Sequence, residues 1–280
     1  MKISILLPTR ENTSYLEKAI NSILNKSYNP NEIEILLAIN NNDTETINFL
    51  DKLNLSKINY KHILVEEGEG YFDAASRLNK LAEISEGDIL FSFNDDMIMK
   101  TDNWDEILKN RVNELPVDKI FTLYPAHNQK NDNWPIAPII TREWYNIIGK
   151  FTNSYDADTE SLIIGDLLKR IYKIDRLHIH HFNDTSLKLK QEHWKDTRHL
   201  LIESDYKHNK SILTFNRLFR ALIDYNKLHS EIKKIKFFKF YILKTIFFFP
   251  YYLFLIQKYS KMSFHIILIM NFFKKNFKKR

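Results

Sequence analysis

Along the first hundred residues, short uninterrupted apolar runs alternate with segments whose apolar positions recur every three or four residues. Residues 2–7 (KISILL) are a β-branched and leucine run closed by Pro8-Thr9-Arg10, the pattern of a strand buried on both faces. Leu16, Ala19, Ile20, Ile23 and Leu24 then fall at helical spacing, with Thr13 or Ser14 placed to cap that helix. A second strand is predicted over 33–39 (IEILLAI), running into the polar stretch Asn40-Asn41-Asn42-Asp43-Thr44, followed by a helix over 46–53 and a shorter strand over 58–65. Residues 71–84 read as a helix with Ala74, Ala75, Leu78, Leu81 and Ala82 inward. Residues 89–93 (ILFSF) read as a fourth strand that ends in Asn94-Asp95-Asp96.

Strands and helices in alternation predict an α/β fold: an open, mostly parallel sheet flanked by helices, with ligands outside the carboxyl ends of the strands. Three of those ends carry polar clusters, at 8–10, 40–43 and 94–96. Beyond Trp104 the pattern gives a helix over 105–115, a strand over 119–123 and a Pro- and Asn-rich loop over 125–138. Helices over 142–148 and 160–172 follow, then a His-bearing strand end at 177–181 and a polar helical stretch from about 186. There is no internal repeat.

Charge divides the chain differently. The net charge is +6 overall, yet residues 231–280 alone carry +11 and residues 1–230 carry −5. The same last 50 residues hold 15 of the 38 aromatics, so basic charge and bulky apolar surface coincide there. Two domains are therefore expected, a catalytic-size one over 1–230 and a helical basic-aromatic extension over 231–280. Residues 237–257 contain only Lys239 and Lys244 as charges, but those and Pro250 disfavour a membrane span, as does the even spread of flanking lysines. Helices lying on an anionic membrane surface fit better, and the Phe and Ile runs are more apolar than nucleic-acid binding requires. The apolar run at the N-terminus is too short for a signal peptide, so a cytoplasmic protein attached to the inner face of the membrane is expected. The absence of cysteine excludes disulfides, thiolate metal sites and cysteine nucleophiles, leaving Asp, Glu, His and Asn to hold any metal.

The chemistry concentrates in FSFNDDM. A buried strand that delivers Asp95 and Asp96 together to the sheet rim sets two anions side by side, which is costly unless a cation joins them. A hard divalent ion meets that need and keeps positions open for phosphate oxygens; a plain strand-to-helix turn with an Asp cap is the competing explanation. A second cluster, LHIHHFND, places His178 and His180 on one strand face and His181 at the strand's end, with Asp184 beyond. The segment 147–163 carries Asp156, Asp158 and Glu160, and Trp134-Pro135 offers an aromatic wall for an acceptor in the long Asn-rich loop. Trp144 is read as core.

The order ISILLPTRE, EIEILLAINNNDTET, FDAASRLNKLAEISEGDILFSFNDDM and the Trp104 helix resembles the family 2 glycosyltransferases of GT-A fold over about the first 180 residues. The resemblance implies a Rossmann-like GT-A sheet. It implies transfer of a sugar from a nucleotide-sugar donor, a UDP-sugar foremost, to a glycan or lipid-linked saccharide, with inversion and with Mn²⁺ or Mg²⁺. It assigns donor binding to Pro8, Thr9, Arg10, Asn42, Asp43, Arg77, Asn79 and Asp95, and metal binding to Asp96 and His181. Asn94 stands where the family's first metal-motif Asp is usual. The family's base lies at the start of the helix after a Gly-Phe-like segment, which implies Asp158. A non-catalytic nucleotide- or glycan-binding module of the same fold is the alternative. A nucleotidyltransferase fits less well, because LLPTRENTS lacks a phosphate-cradling glycine.

Overall fold

The computed structural model describes residues 1–52, 59–66, 73–129, 134–153, 157–182 and 210–233. The chain forms two compact units, residues 1–192 and 193–280. In the second, α7 (Lys210–Ile232) is the described element, and it runs through the expected boundary at 230/231. The rest of the basic-aromatic extension, the polar stretch from 186, Asp156 and Asp184 lie outside the described residues.

The first unit is built on an eight-stranded sheet. Its strands are β1 (Ile3–Pro8), β2 (Ile33–Asn40), β3 (Asn59–Val65), β4 (Ile89–Ser92), β5 (Met97–Met99), β6 (Thr122–His127), β7 (Ile139–Thr141) and β8 (Ile171–His181), in the order β3-β2-β1-β4-β7-β6-β8-β5. β1, β2, β3 and β4 pair in parallel, as the alternation predicts. The second half is mixed: β6 and β8 are parallel, whereas β7 is antiparallel to both β4 and β6, and β5 is antiparallel to β8.

All eight residues of β2 are buried, including Glu34. Its carboxylate is satisfied at the amino-terminal edge of the sheet, accepting from Ser4 Oγ at 2.6 Å and the Glu86 amide at 2.6 Å, with Lys2 Nζ at 3.1 Å. A buried carboxylate is tolerated only with such partners. Gly87 fits against this knot: a Cβ there would lie 2.4 Å from Ser4 Oγ and 2.7 Å from its amide nitrogen, so only glycine permits the approach.

Helix α1 (Thr13–Asn25) buries Leu16, Ala19, Ile20 and Ile23, the predicted face, while the expected cap by Thr13 or Ser14 is not made. Asn12 occupies the cap position, and Thr13 Oγ1 donates to Glu45 at 2.9 Å instead. Helices α2 (Thr44–Lys52) and α3 (Ala74–Ile84) follow their strands; α3 buries Arg77 together with Leu78, Leu81 and Ala82. Helix α4 (Trp104–Glu114) begins with a wholly buried Trp104, whose indole donates to Ile23 O at 2.7 Å.

Three differences from the expected pattern lie in the second half. β6 extends to His127, three residues into the expected loop. Short strands β5 and β7 appear where the sequence shows only turn and loop signals. Helix α5 (Arg142–Ile148) matches its prediction and buries Trp144, but α6 (Ala157–Leu168) starts earlier and ends before Ile171, which opens β8. Ile171 and Tyr172 close the expected helix over 160–172; pairing with Thr122 and Leu123 of β6 makes them strand.

Candidate active site

The carboxyl ends of β2, β1 and β4 lie side by side, which brings the three polar clusters into one rim. Beyond β1, the chain turns through Glu11 at φ +48°, a left-handed conformation that non-glycine residues adopt at a cost. The turn directs the Glu11 amide to Asp43 Oδ2 at 2.7 Å. Asp43 also caps α2, accepting the Thr46 amide on Oδ1 at 2.9 Å and the Thr46 hydroxyl on Oδ2 at 2.7 Å. Asp43 is therefore the joint between the β1 loop and α2, and it holds Pro8-Thr9-Arg10 in place. Pro8 and Arg10 are half-buried, and Asn42 is exposed at the rim.

Thr9 donates its hydroxyl to Asp95 Oδ2 at 2.8 Å, tying the first cluster to the third. Asp96 meets His181: Oδ1 lies 3.2 Å from His181 Nε2, and the Asp96 carbonyl accepts the Phe182 amide at 2.9 Å. These residues are 85 apart in sequence and are brought together by β5 pairing with β8, in which Met97 sits opposite His181. The backbone of His181 is gripped in turn by Asn128, which accepts its amide at 2.8 Å and donates to its carbonyl at 3.2 Å. His178 is exposed, and His180 packs its ring 4.6 Å from that of Phe182.

Arg77 and Asn79 serve the walls of the site. Arg77 is buried and donates from Nη2 to Asn40 Oδ1 at the end of β2. Asn79 Oδ1 accepts the amides of Phe151 and Thr152 at 2.8 and 3.1 Å, while its Nδ2 donates to the Thr152 carbonyl at 2.8 Å. The amide expected to face the donor is thus engaged with the segment leading to Asp158. Glu160, read only as a further carboxylate, completes this anchoring by accepting from Thr152 Oγ1 at 3.1 Å and from the Asn153 amide at 2.9 Å.

Asp158 opens α6. Oδ2 accepts the Trp134 indole N–H at 2.6 Å, and Oδ1 accepts the Thr159 amide at 2.7 Å. Burial pushes the carboxyl above the usual aspartate range, and the indole and amide bonds oppose that rise without cancelling it. Trp134, expected as an acceptor wall, turns its nitrogen to this carboxylate. Two partners escaped the sequence reading altogether: His127, whose Nε2 lies 2.6 Å from the Trp134 carbonyl, and Gln129, whose amide donates to His127 Nδ1 at 3.2 Å. No periodicity marks them; they become visible only once β6 is known to reach His127.

The donor set at Asp96 and His181 suits a hard divalent ion. No group of three or more His, Asp or Glu side chains converges to hold a metal among the described residues. A carboxylate and an imidazole leave most of a six-coordinate shell to diphosphate oxygens and water, as Mg²⁺ and Mn²⁺ accept.

The sequence model of glycosyl transferase family 2 matches residues 4–182, the whole of this sheet from β1 to the end of β8. The chain belongs to glycosyl transferase family 2 and is a glycosyltransferase of GT-A fold. No curated protein matches it. Among solved structures it is similar to residues 1–349 of TarS from S. aureus in complex with UDP, at TM-score 0.53 and 13% identity, covering 81% of each chain. It is also similar to the mannosyltransferase PcManGT from Pyrobaculum calidifontis in complex with GDP-Man and Mn2+. There the TM-score is 0.54 and the identity 11%, covering 96% of this chain and 79% of that one.

Proposed function

We propose that this glycosyltransferase is metal-dependent and moves a sugar from a nucleotide-sugar donor, a UDP-sugar foremost, to a glycan or lipid-linked saccharide with inversion at the anomeric carbon. The observation that carries this reading is the Asp96–His181 pair, set beside the Thr9–Asp95 contact at the carboxyl rim of the sheet. The neighbours solved in complex with UDP and with GDP-Man and Mn2+ support a nucleotide-sugar donor and a divalent ion in this fold.

In this reading the β1 loop, held by Asp43, frames the nucleotide, and Asp95, oriented by Thr9, faces the ribose or sugar. Asp96 and His181 would hold Mn²⁺ or Mg²⁺, which supplies positive charge against the leaving diphosphate when bound. Asp158 takes the proton from the acceptor hydroxyl as that oxygen bonds to the anomeric carbon, while the bond from that carbon to the diphosphate oxygen breaks. A carboxylate whose proton affinity is raised by burial is better suited to this task than an exposed one.

Residues 231–280 are proposed to lie on the anionic inner face of the cell membrane, which would suit a lipid-carried acceptor; their charge of +11 and 15 aromatics support this. No helix among the described residues is long and apolar enough to cross a membrane. Removing 231–280 should abolish sedimentation with anionic liposomes, and unchanged sedimentation would count against attachment.

The deciding experiment is mass-spectrometric detection of donor consumption across a panel of nucleotide sugars, with Mn²⁺ or EDTA, for the wild type and Asp96→Ala. Consumption of one donor that requires both metal and Asp96 is the expected result. Equal consumption in EDTA would overturn metal dependence.

A further inference from the structure

Asp158 is held at both oxygens, but the two bonds differ in kind. The Thr159 amide is a neighbour that an aspartate at a helix start commonly meets. The Trp134 bond joins residues 24 apart and uses the only donor an indole has. Trp134 is itself fixed through its backbone. His127 Nδ1 accepts the Gln129 amide, so the neutral imidazole carries its proton on Nε2 and donates it to the Trp134 carbonyl. His127 ends β6, a strand whose six residues are all buried. The adjacent Gln129 donates from Nε2 to the His181 carbonyl at 3.4 Å. A continuous line of hydrogen bonds thus runs from His181 through Gln129, His127 and Trp134 to Asp158.

We propose that Trp134 is a positioning residue for sugar transfer, its indole N–H fixing the rotamer of Asp158 and stabilising the ionised carboxylate that takes the acceptor proton. This rests on the reading of Asp158 as the base. Oδ2 keeps a second lone pair for the acceptor proton, so the indole bond orients the group while holding its proton affinity down. It also offsets the burial that favours the protonated acid. A tryptophan that only stacked on a sugar would use its ring face, and its nitrogen would be free to face water. Here the nitrogen is directed at a carboxylate, and the backbone behind it is clamped to a buried strand.

Trp134→Phe separates the two roles, since it keeps an aromatic face and deletes the donor. In the full-length chain labelled with [13Cγ]aspartate, the resonance missing from Asp158→Asn identifies Asp158. Its titration midpoint should rise in Trp134→Phe, because the ionised form loses its hydrogen bond. Consumption of UDP-GlcNAc or GDP-mannose, whichever the wild type turns over, should show kcat lower by roughly tenfold at neutral pH, with donor KM unchanged. The acid limb of its pH profile should move upward. Benzothienylalanine at position 134, with sulfur in place of the N–H, should reproduce these changes at nearly constant ring size and so exclude a packing defect. An unmoved midpoint and pH profile in both variants would overturn the proposal. Wild-type turnover in Asp158→Asn would instead overturn the reading of Asp158 as base, whatever the midpoint does.

Discussion

The proposed donor rim and the proposed base corner of this enzyme are built by different means. At the rim, Pro8-Thr9-Arg10, Asp43 and Asp95 stand directly on the ends of consecutive parallel strands, and short hydrogen bonds such as Thr9 to Asp95 finish the arrangement. At the corner, Asp158 stands at a helix start and is held by side chains: Trp134 on the carboxylate, with Asn79 from α3 and Glu160 from the same helix on the backbone before it. A rim made by strand register tolerates change at single side chains, because the backbone already places the groups. A corner made by long-range side-chain bonds depends on each of them.

The comparison is sharpest in the division between binding and chemistry. Asp158→Asn should lower kcat on the order of 10³-fold, the range for loss of a general base, while leaving nucleotide affinity near that of the wild type. Asp96→Ala should lower turnover on the order of 10²-fold and also abolish the metal dependence of nucleotide binding, measurable by calorimetry with and without Mn²⁺. If Asp158→Asn weakened nucleotide binding as strongly as Asp96→Ala, the two regions would not be functionally distinct.

The same contrast explains how far the sequence could be read. The parallel half was legible because each βα step is local: the buried run, the polar strand end and the amphipathic helix follow one another, and Leu16, Ala19, Ile20 and Ile23 pack as spaced. The rim clusters were legible for the same reason. Strands β5 and β7 were not, because three-residue strands carry no periodicity and exist only through pairing with β8 and with β4 and β6. His181 was legible from its place at a strand end, but its partner geometry awaited that pairing. Asn79 shows the opposite failure. Its helix and spacing were read from the pattern, yet its amide is spent on Phe151 and Thr152 across 72 and 73 residues, a contact that no local signal encodes. Glu160 and His127 escaped for a different reason: their partners Thr152, Asn153 and Trp134 are near in sequence but lie in irregular segments that no periodicity marks.

Glu160→Ala tests whether the corner depends on its supports. Thr152 and Asn153 would lose their acceptor, with a stability cost of about 2 kcal/mol by thermal or urea unfolding. Turnover should fall by roughly tenfold through displacement of Asp158 rather than through lost donor binding. Glu160→Gln, which keeps one acceptor oxygen, should recover part of both. A Glu160→Ala enzyme that lost stability but kept its turnover would show that Asp158 is placed by α6 and Trp134 alone.

The smallest expected effect is a linkage between the protonation of Asp158 and stability. Burial raises the folded-state pKa of Asp158 above its unfolded value, so between those two values the folded chain binds more protons than the unfolded chain. Stability must therefore fall as pH rises through that window, and above it the buried carboxyl is a net cost to folding. Asp158→Asn removes that cost while keeping an acceptor for the indole. Its unfolding midpoint should exceed the wild type's at pH 7, and the gain should shrink as pH falls toward the unfolded pKa. A gain in Asp158→Asn that did not depend on pH would mean that packing, and not the buried charge, sets the cost of holding this carboxylate in place.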